Sequence, residues 1–502
     1  MRCRPWRGRD GRAGVMDRTR MRLMRILKSN VFWSGLEAAV AAALSFVSAF
    51  VIARIVGPAE LGVGAAAVAV HILVWVAVNG LFADPLVQRA GLTDEEASSA
   101  FWASVLGGVI GVGLQVAAGW AVMAAIGDPR LLAMTLVLAA TLPLVGAGGA
   151  MQGLLTRQRQ YRVLAGRTLL GQGLGTLVGM ALAWGGAGAW ALVLQQLTTS
   201  LGGALALLLG GGWRPRPVLR LAPVLALLRF GAPLVASTLV VNGRYRLFAV
   251  LIGGTAGPAA LGQVHMAFRL VDTVRELACT AMWRLSLPSL SERQGDLPAL
   301  RRAVSRLVEL SGVVLFPAMG ALLVIIDPLV HLLLGPGWAP AATAAGPLIL
   351  LACYTFLAFP TSVALLARGA TLPALASSVA TLAIMTAGVL LLRPETPAMA
   401  ALVWVGAQAV VIPPMLVVNG RILQGSVLAL LRPGLPALLL AAAATTAALL
   451  VPRALGEPTA PLAVMACRLG VGMSVYIPGA LLLLRPSIAA ALGSFGFRDR
   501  PV

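Results

Sequence analysis

Charge is what this chain has least of. Charged residues make up 11% of its 502 positions and hydrophobic ones 59%, whereas a soluble globular domain carries about 25% charged residues, so a water-soluble globule is excluded. Cysteine is equally sparse: Cys3, Cys279, Cys353 and Cys467 have neither metal-ligand nor disulfide spacing, and three of them sit in apolar runs where a small apolar residue would serve. No Gly-x-x-x-x-Gly-Lys-Ser/Thr segment occurs, which removes P-loop ATP hydrolysis. Neither a metal nor a cofactor is expected, and no catalytic residue.

What fills the chain is apolar sequence in runs of at least about 18 residues, each long enough to cross a hydrocarbon core of about 30 Å as a helix. Fourteen are expected: 31–53, 61–83, 101–126, 131–152, 164–184, 187–211, 231–253, 261–283, 307–330, 341–366, 371–392, 398–420, 434–451 and 461–484. The runs do not alternate polar and apolar residues, so a β-barrel is excluded. The fold class is therefore all-α, a polytopic membrane protein.

A formal charge of +21 would suggest nucleic acid in a soluble protein, but its placement assigns it otherwise. Alternating sides along the runs, thirty of the 39 Lys and Arg fall in the tail 1–28 and the loops on its side, and only Arg54, Arg130, Arg393 and Arg453 on the other. By the positive-inside rule both termini are cytoplasmic and the protein lies in the cytoplasmic (inner) membrane. The basic charge is an orientation signal and a contact for anionic membrane lipids, with no nucleic-acid role. The basic start is too long, and its apolar sequel too wide, for a secretory signal; Met16, Met21 and Met24 are alternative starts. The loops expected outside, 54–60, 127–130, 185–186, 254–260, 331–340, 393–397 and 452–460, are short and none joins paired carboxylates to a base. That disfavours a membrane polysaccharide polymerase or ligase.

The chain is written twice. Gly57-Pro58-Ala59-Glu60-Leu61-Gly62 returns as Gly257-Pro258-Ala259-Ala260-Leu261-Gly262, Ile126-Gly127-Asp128-Pro129 aligns with Leu334-Gly335-Pro336-Gly337, and Trp190-Ala191-Leu192-Val193 with Ala400-Ala401-Leu402-Val403. The offset drifts from 200 to 210, as small loop insertions in a duplicated half would cause. The expected organisation is a basic cytoplasmic tail 1–28, an N-lobe 29–212 with six helices, a cytoplasmic interfacial connector 213–230, a C-lobe 231–420 with six, and an appended pair with the C-terminal tail at 421–502. A parallel repeat of this kind sets two lobes about an axis along the membrane normal, with a cavity between them.

Intramembrane charge is concentrated in the seventh and eighth runs. Asn242, Arg244, Tyr245 and Arg246 stand mid-way along one; His265, Arg269, Asp272 and Glu276 form an i, i+3/i+4 stripe on the other, with Arg275 beside it. The positions 200 residues earlier, Ala65, Ala69, Ile72 and Val76, are all apolar, so the fold does not require the charge. Four Arg against Asp272 and Glu276 leave a surplus of positive charge in the membrane, which suits a phosphate anion through the Arg fork. A purely structural arrangement, Arg269 and Arg275 both neutralised by Asp272, is the alternative. Glu37 in the first run is either a cavity carboxylate or cation site, or an ion pair near the interface; His71 reads as a hydrogen-bonded packing residue.

The loop Leu86-Val87-Gln88-Arg89-Ala90-Gly91-Leu92-Thr93-Asp94-Glu95-Glu96-Ala97-Ser98-Ser99-Ala100-Phe101-Trp102 resembles the polysaccharide-transport branch of the multidrug/oligosaccharidyl-lipid/polysaccharide flippase superfamily. Further family-like stretches follow in order: Gly188 to Leu197, Leu228-Arg229-Phe230-Gly231-Ala232-Pro233, Leu287-Pro288-Ser289-Leu290-Ser291, and Leu334 to Ala341. The resemblance covers residues 29–420. It implies a V-shaped pair of bundles, with the first two helices of each lobe walling the cavity, and a lipopolysaccharide or exopolysaccharide flippase for an undecaprenyl-pyrophosphate-linked oligosaccharide. With no P-loop in the chain, the energy is expected from an ion gradient with H+ or Na+ as coupling ion, from a consuming downstream reaction of polysaccharide polymerase or export machinery, or from another subunit. Two alternatives stay open within the superfamily: a cation-coupled multidrug antiporter, against which the Arg-rich cavity argues, and a peptidoglycan-precursor flippase, with which the same charge is compatible.

Overall fold

The computed structural model describes residues 30–370, 372–456 and 458–484. The tail 1–28 with its alternative starts and Cys3, and the basic residues after 484, lie outside them. Among the described residues there are helices, turns and no strands. Each apolar run has become a long helix: α1 (Asn30–Val56), α2 (Pro58–Gln88), α3 (Asp94–Ile126), α4 (broken into Arg130–Ala139 and Leu142–Arg157), α5 (Tyr161–Trp184), α6 (Trp190–Gly210), α7 (Leu221–Thr255), α8 (Gly257–Ser291), α9 (Leu297–Leu333), α10 (Ala339–Ala367), α11 (Leu372–Leu392), α12 (Pro397–Ile422), α13 (Leu435–Leu455) and α14 (Pro461–Leu483). Eleven of the described helices are long and apolar enough to span a membrane, and the two segments of α4, bent by 40°, bring the number to 12 when taken as one span. The fourteen spans expected from the runs thus exceed what length and apolarity support. The shortfall falls on α5 and α8, and α8 is the helix whose polar stripe dilutes its apolar sequence. The protein is a multi-pass membrane protein with two helical lobes and an appended pair, α13 and α14.

The lobes meet at the duplicated turn. Gly57 and Gly257 both take φ of 83°, a region that costs glycine nothing, and Pro58 follows at the start of α2, where its missing N–H is no loss. The turns then press on each other reciprocally. A Cβ built on Gly62 would lie 1.8 Å from the Pro258 carbonyl oxygen, and one on Gly262 would lie 2.0 Å from that of Pro58. Only glycine permits two helix starts to approach so closely. Near the other end, α7 packs on α2 through Gly231, whose Cβ would meet the Leu81 carbonyl oxygen at 2.1 Å.

The segment between the lobes is shorter than its sequence suggests, since α7 begins at Leu221. Residues 212–220 form an irregular strap tied to the start of α3. Trp102 Nε1 donates to the Arg216 carbonyl at 2.8 Å, the Arg216 amide donates to Ser98 Oγ at 3.1 Å and the Arg220 amide to Ser99 Oγ at 3.0 Å. Arg216 and Arg220 also pair with Asp94 and Glu95 at 3.4 and 2.9 Å. The helix start beneath is itself fixed by a capping box between Thr93 and Glu96. The acidic, serine-containing loop that carries the family resemblance is therefore the seat of the strap.

Candidate functional site

Between the lobes lies a cavity of about 590 Å³. Its walls come from α7, α8, α10 and α12, and from Ile72 and Val76 of α2. Arg244, Arg246, His265, Arg269, Asp272, Arg275 and Glu276 all line it, so seven of the eight residues singled out from the sequence are brought together. The stripe on α8 does face one space, and Arg275, which helical spacing set beside the stripe, shares it.

Glu37 stands apart. It accepts a hydrogen bond of 2.5 Å from Thr168 Oγ1 of α5 and belongs to the N-lobe interior. From α1 it is Ser45 that bonds a residue of the main cavity, its hydroxyl accepting from Arg269 Nη2. Of the first two helices of each lobe, α2, α7 and α8 line the cavity and α1 reaches it through that bond.

The charges are arranged unevenly. Asp272 Oδ1 receives Nη2 and Nε of Arg275 at 2.7 and 2.9 Å; among the described residues no ion pair joins Asp272 to Arg269. Arg269 Nε is buried with no hydrogen-bond partner among the described residues. Arg246 lies over the ring of Tyr245, 5.3 Å from its centroid, a placement the ring's quadrupole favours. The Tyr245 hydroxyl and His265 Nδ1 are 3.1 Å apart. Behind these groups stands an aromatic wall: Phe268 lies 4.9 Å from Tyr245 and 5.1 Å from Trp404, ring to ring. It fixes the backbone from which the arginines project. With four guanidinium groups and two carboxylates, one of them engaged by Arg275, the cavity carries net positive charge at membrane depth. No three His, Cys, Asp or Glu side chains among the described residues are grouped to hold a metal ion.

The model of the family described as "Polysaccharide biosynthesis protein" matches residues 51–343, more than half of the chain. The chain belongs to this family. It is 27% identical over 341 residues to the succinoglycan biosynthesis transport protein ExoT of Rhizobium meliloti (strain 1021), a match that covers 66% of this chain and 68% of the relative. It is 22% identical over 321 residues to the lipopolysaccharide biosynthesis protein WzxC of Escherichia coli (strain K12), covering 62% of this chain and 63% of that one. Among solved structures, the lipid II flippase MurJ in an inward closed conformation superposes with a TM-score of 0.75 at 11% identity, covering 91% of this chain and all of that one. An inward-facing multidrug resistance MATE family transporter of the MOP superfamily gives 0.57 at 16% identity over 77% of this chain and 96% of that one. Both superpositions speak to the fold, which is that of the superfamily its sequence resembles.

Sequence reasoning missed a second polar group of residues inside the N-lobe: Trp75, Asn79, Arg167, Thr168, Gln172, Gln196, Thr199 and Ser200 line a cavity of about 140 Å³. It carries little charge, so a search for charge passes over it. The available signal was the i, i+4 spacing of Trp75 and Asn79, Thr168 and Gln172, and Gln196 and Ser200.

Proposed function

We propose that the protein is a flippase that moves an undecaprenyl-pyrophosphate-linked oligosaccharide across the cytoplasmic membrane for polysaccharide export. The observation that carries this reading is the surplus of arginine in the cavity between the lobes, with a buried Arg269 Nε that has no hydrogen-bond partner among the described residues. A guanidinium at membrane depth is costly without an anion, and a diphosphate supplies two negative phosphates to paired N–H donors. Arg269 is the central contact, with Arg244 and Arg246 in support. The relatives named for succinoglycan transport and lipopolysaccharide biosynthesis point to the same cargo class. A cationic drug would be repelled by this wall, which disfavours an antiporter. The orientation puts both termini in the cytoplasm, and the step forms no covalent bond. Its energy comes from an ion gradient or from polymerisation of the cargo on the far side.

The test is flipping in proteoliposomes of undecaprenyl-diphosphate-linked glucose, scored by oxidation of the sugar with periodate added outside. Arg269→Ala is expected to slow flipping about 100-fold, and Arg269→Lys about tenfold because Lys keeps the charge but loses the fork. Wild-type rates in Arg269→Ala at equal protein incorporation would remove the anion role.

A further inference from the structure

The N-lobe cavity lies next to the anion cavity along α2. Ile72 and Val76 face the main cavity, while Trp75 and Asn79 face the smaller one; at 3.6 residues per turn these faces are about 60° apart around the helix. Helix α1 is bonded to residues that line both spaces. Its Ser45 meets Arg269, its Ser48 hydroxyl accepts from Gln195 Nε2 on α6 at 3.1 Å, and its Glu37 accepts from Thr168 on α5.

The chemistry of the smaller cavity is that of neutral hydrogen bonding. Arg167, the charged residue in its lining, is held by Gln152 Oε1. Gln196 Nε2 donates to Ser200 Oγ at 3.2 Å, and the Thr199 hydroxyl donates to the Gln195 carbonyl, so both hydroxyls still offer acceptor capacity. The side chains of Trp75, Asn79 and Gln172 have no hydrogen-bond partner among the described residues. Room for these groups comes from glycine: Gly148, Gly171 and Gly203 line the space, and a Cβ on Gly171 would lie 2.8 Å from the Thr199 carbonyl oxygen.

Amide and indole groups that line a cavity inside a membrane-embedded lobe call for a hydrogen-bonding occupant, water or ligand. On α6 the duplicated half does without such groups: at the 210 offset, Gln196, Thr199 and Ser200 correspond to Gly406, Ala409 and Val410. The bundle therefore does not need these polar groups to form.

We propose that this cavity is a carbohydrate subsite, which binds the hydroxyls of a single pyranose ring of the cargo through Asn79, Gln172, Gln196 and Ser200, with Trp75 as an apolar face for the ring. Sugars present neutral donors and acceptors around an apolar ring face, which is what amides, hydroxyls and one indole match. At about 140 Å³ the space suits one ring rather than a whole repeat unit. The inference rests on the reading of the protein as a flippase for a lipid-linked sugar, and divides that cargo between the lobes, diphosphate to the C-lobe and first sugars to the N-lobe.

Binding to purified protein in nanodiscs separates the two ideas. The probes are undecaprenyl diphosphate without sugar and undecaprenyl-diphosphate-linked glucose. The wild type is expected to bind the glucose-bearing lipid about tenfold more tightly. Gln172→Leu with Gln196→Leu should abolish that advantage and leave the affinity for bare undecaprenyl diphosphate unchanged, whereas Arg269→Ala should weaken both probes. Should the double variant fail to fold, Asn79→Leu alone is measured, with the sugar advantage falling about threefold. A sugar advantage intact in the folded variants overturns the subsite. Equal weakening of both probes also overturns it, because the cavity would then act only on structure. If the wild type binds neither lipid, the flippase reading fails, and the subsite with it.

Discussion

The two lobes share a fold and differ in where they are polar. On α8 the cavity face reads His265, Arg269, Asp272 and Glu276; on α2 the same positions read Ala65, Ala69, Ile72 and Val76. In the interior the contrast reverses, since α6 carries Gln196, Thr199 and Ser200 where α12 carries Gly406, Ala409 and Val410. The start of α3 is acidic, Asp94-Glu95-Glu96, and holds the strap, while the start of α9 carries Arg301, Arg302 and Arg306. Each lobe serves as a control for the other: whatever one of them omits is not required to build six helices in a membrane. What each adds is then free to follow the cargo, and a cargo with an anionic end and a neutral polyhydroxyl end is asymmetric in the same sense.

The largest expected effect breaks what the lobes have in common. Gly62 and Gly262 make the same contact with opposite partners, so Gly62→Ala and Gly262→Ala should damage the closed interface equally. A Cβ against a backbone oxygen cannot be relieved by a rotamer change, and overpacking of this kind costs about 1–3 kcal/mol or more. Transport is expected to fall about 10- to 100-fold in either variant, with a cysteine at Ala259 becoming reactive to a membrane-impermeant maleimide. An effect confined to one of the two variants would show that the interface is not symmetric.

The next effect moves charge across the lobe boundary. Ile72 is the counterpart of Asp272 and already lines the main cavity, so Ile72→Glu adds a carboxylate to the wall facing the arginines. The affinity for undecaprenyl diphosphate is expected to drop roughly tenfold, while Ile72→Leu leaves it unchanged. Equal binding by the Glu variant would mean that the anion does not approach α2.

These comparisons also show how much was legible in the sequence. The repeat, the helices and the stripe on α8 could be read because periodicity and charge are local and survive without neighbours. The partner of Asp272 could not: Arg269 and Arg275 both stand three residues away, and which one pairs depends on Ser45 of a distant helix engaging Arg269. Glu37 was ambiguous for a similar reason, since its partner Thr168 lies 131 residues on. The strap was hidden because its bonds run from backbone amides to Ser98 and Ser99, and serines in the first turns of a helix carry no pairing signal.

A smaller effect concerns that ion pair. Arg275→Gln alone leaves Asp272 without its partner, and should slow flipping about tenfold through local rearrangement of α8. Adding Asp272→Asn removes the stranded charge, and the double variant is expected to recover to within about threefold of wild type, since removing a pair costs less than splitting it. If the two single losses simply multiply in the double variant, the pair is not a unit and each residue acts by itself.

The smallest effect belongs to the strap, which is seated on the acidic start of α3; before α9 the acidic Asp296 instead caps its own helix through the Ala299 amide. The strap's ion pairs are exposed, with 60% or more of the side-chain surface of both Arg216 and Asp94 accessible, and such pairs contribute about 0–1 kcal/mol each. Asp94→Asn with Glu95→Gln should therefore change the melting temperature by no more than a few degrees and hardly alter flipping. The neutral bonds from the strap backbone to Ser98 and Ser99 are another matter, because both hydroxyls are buried and backbone amides that lose an acceptor in a buried place cost about 1–3 kcal/mol. Ser98→Ala with Ser99→Ala should exceed the charge variants in destabilisation, and should raise cleavage of residues 212–220 by protease added to inside-out vesicles. Cleavage from the opposite membrane face would reverse the orientation drawn from the basic loops. Equal losses in the serine and charge variants would mean that attraction of charge, rather than the backbone bonds, holds the lobes' connector in place.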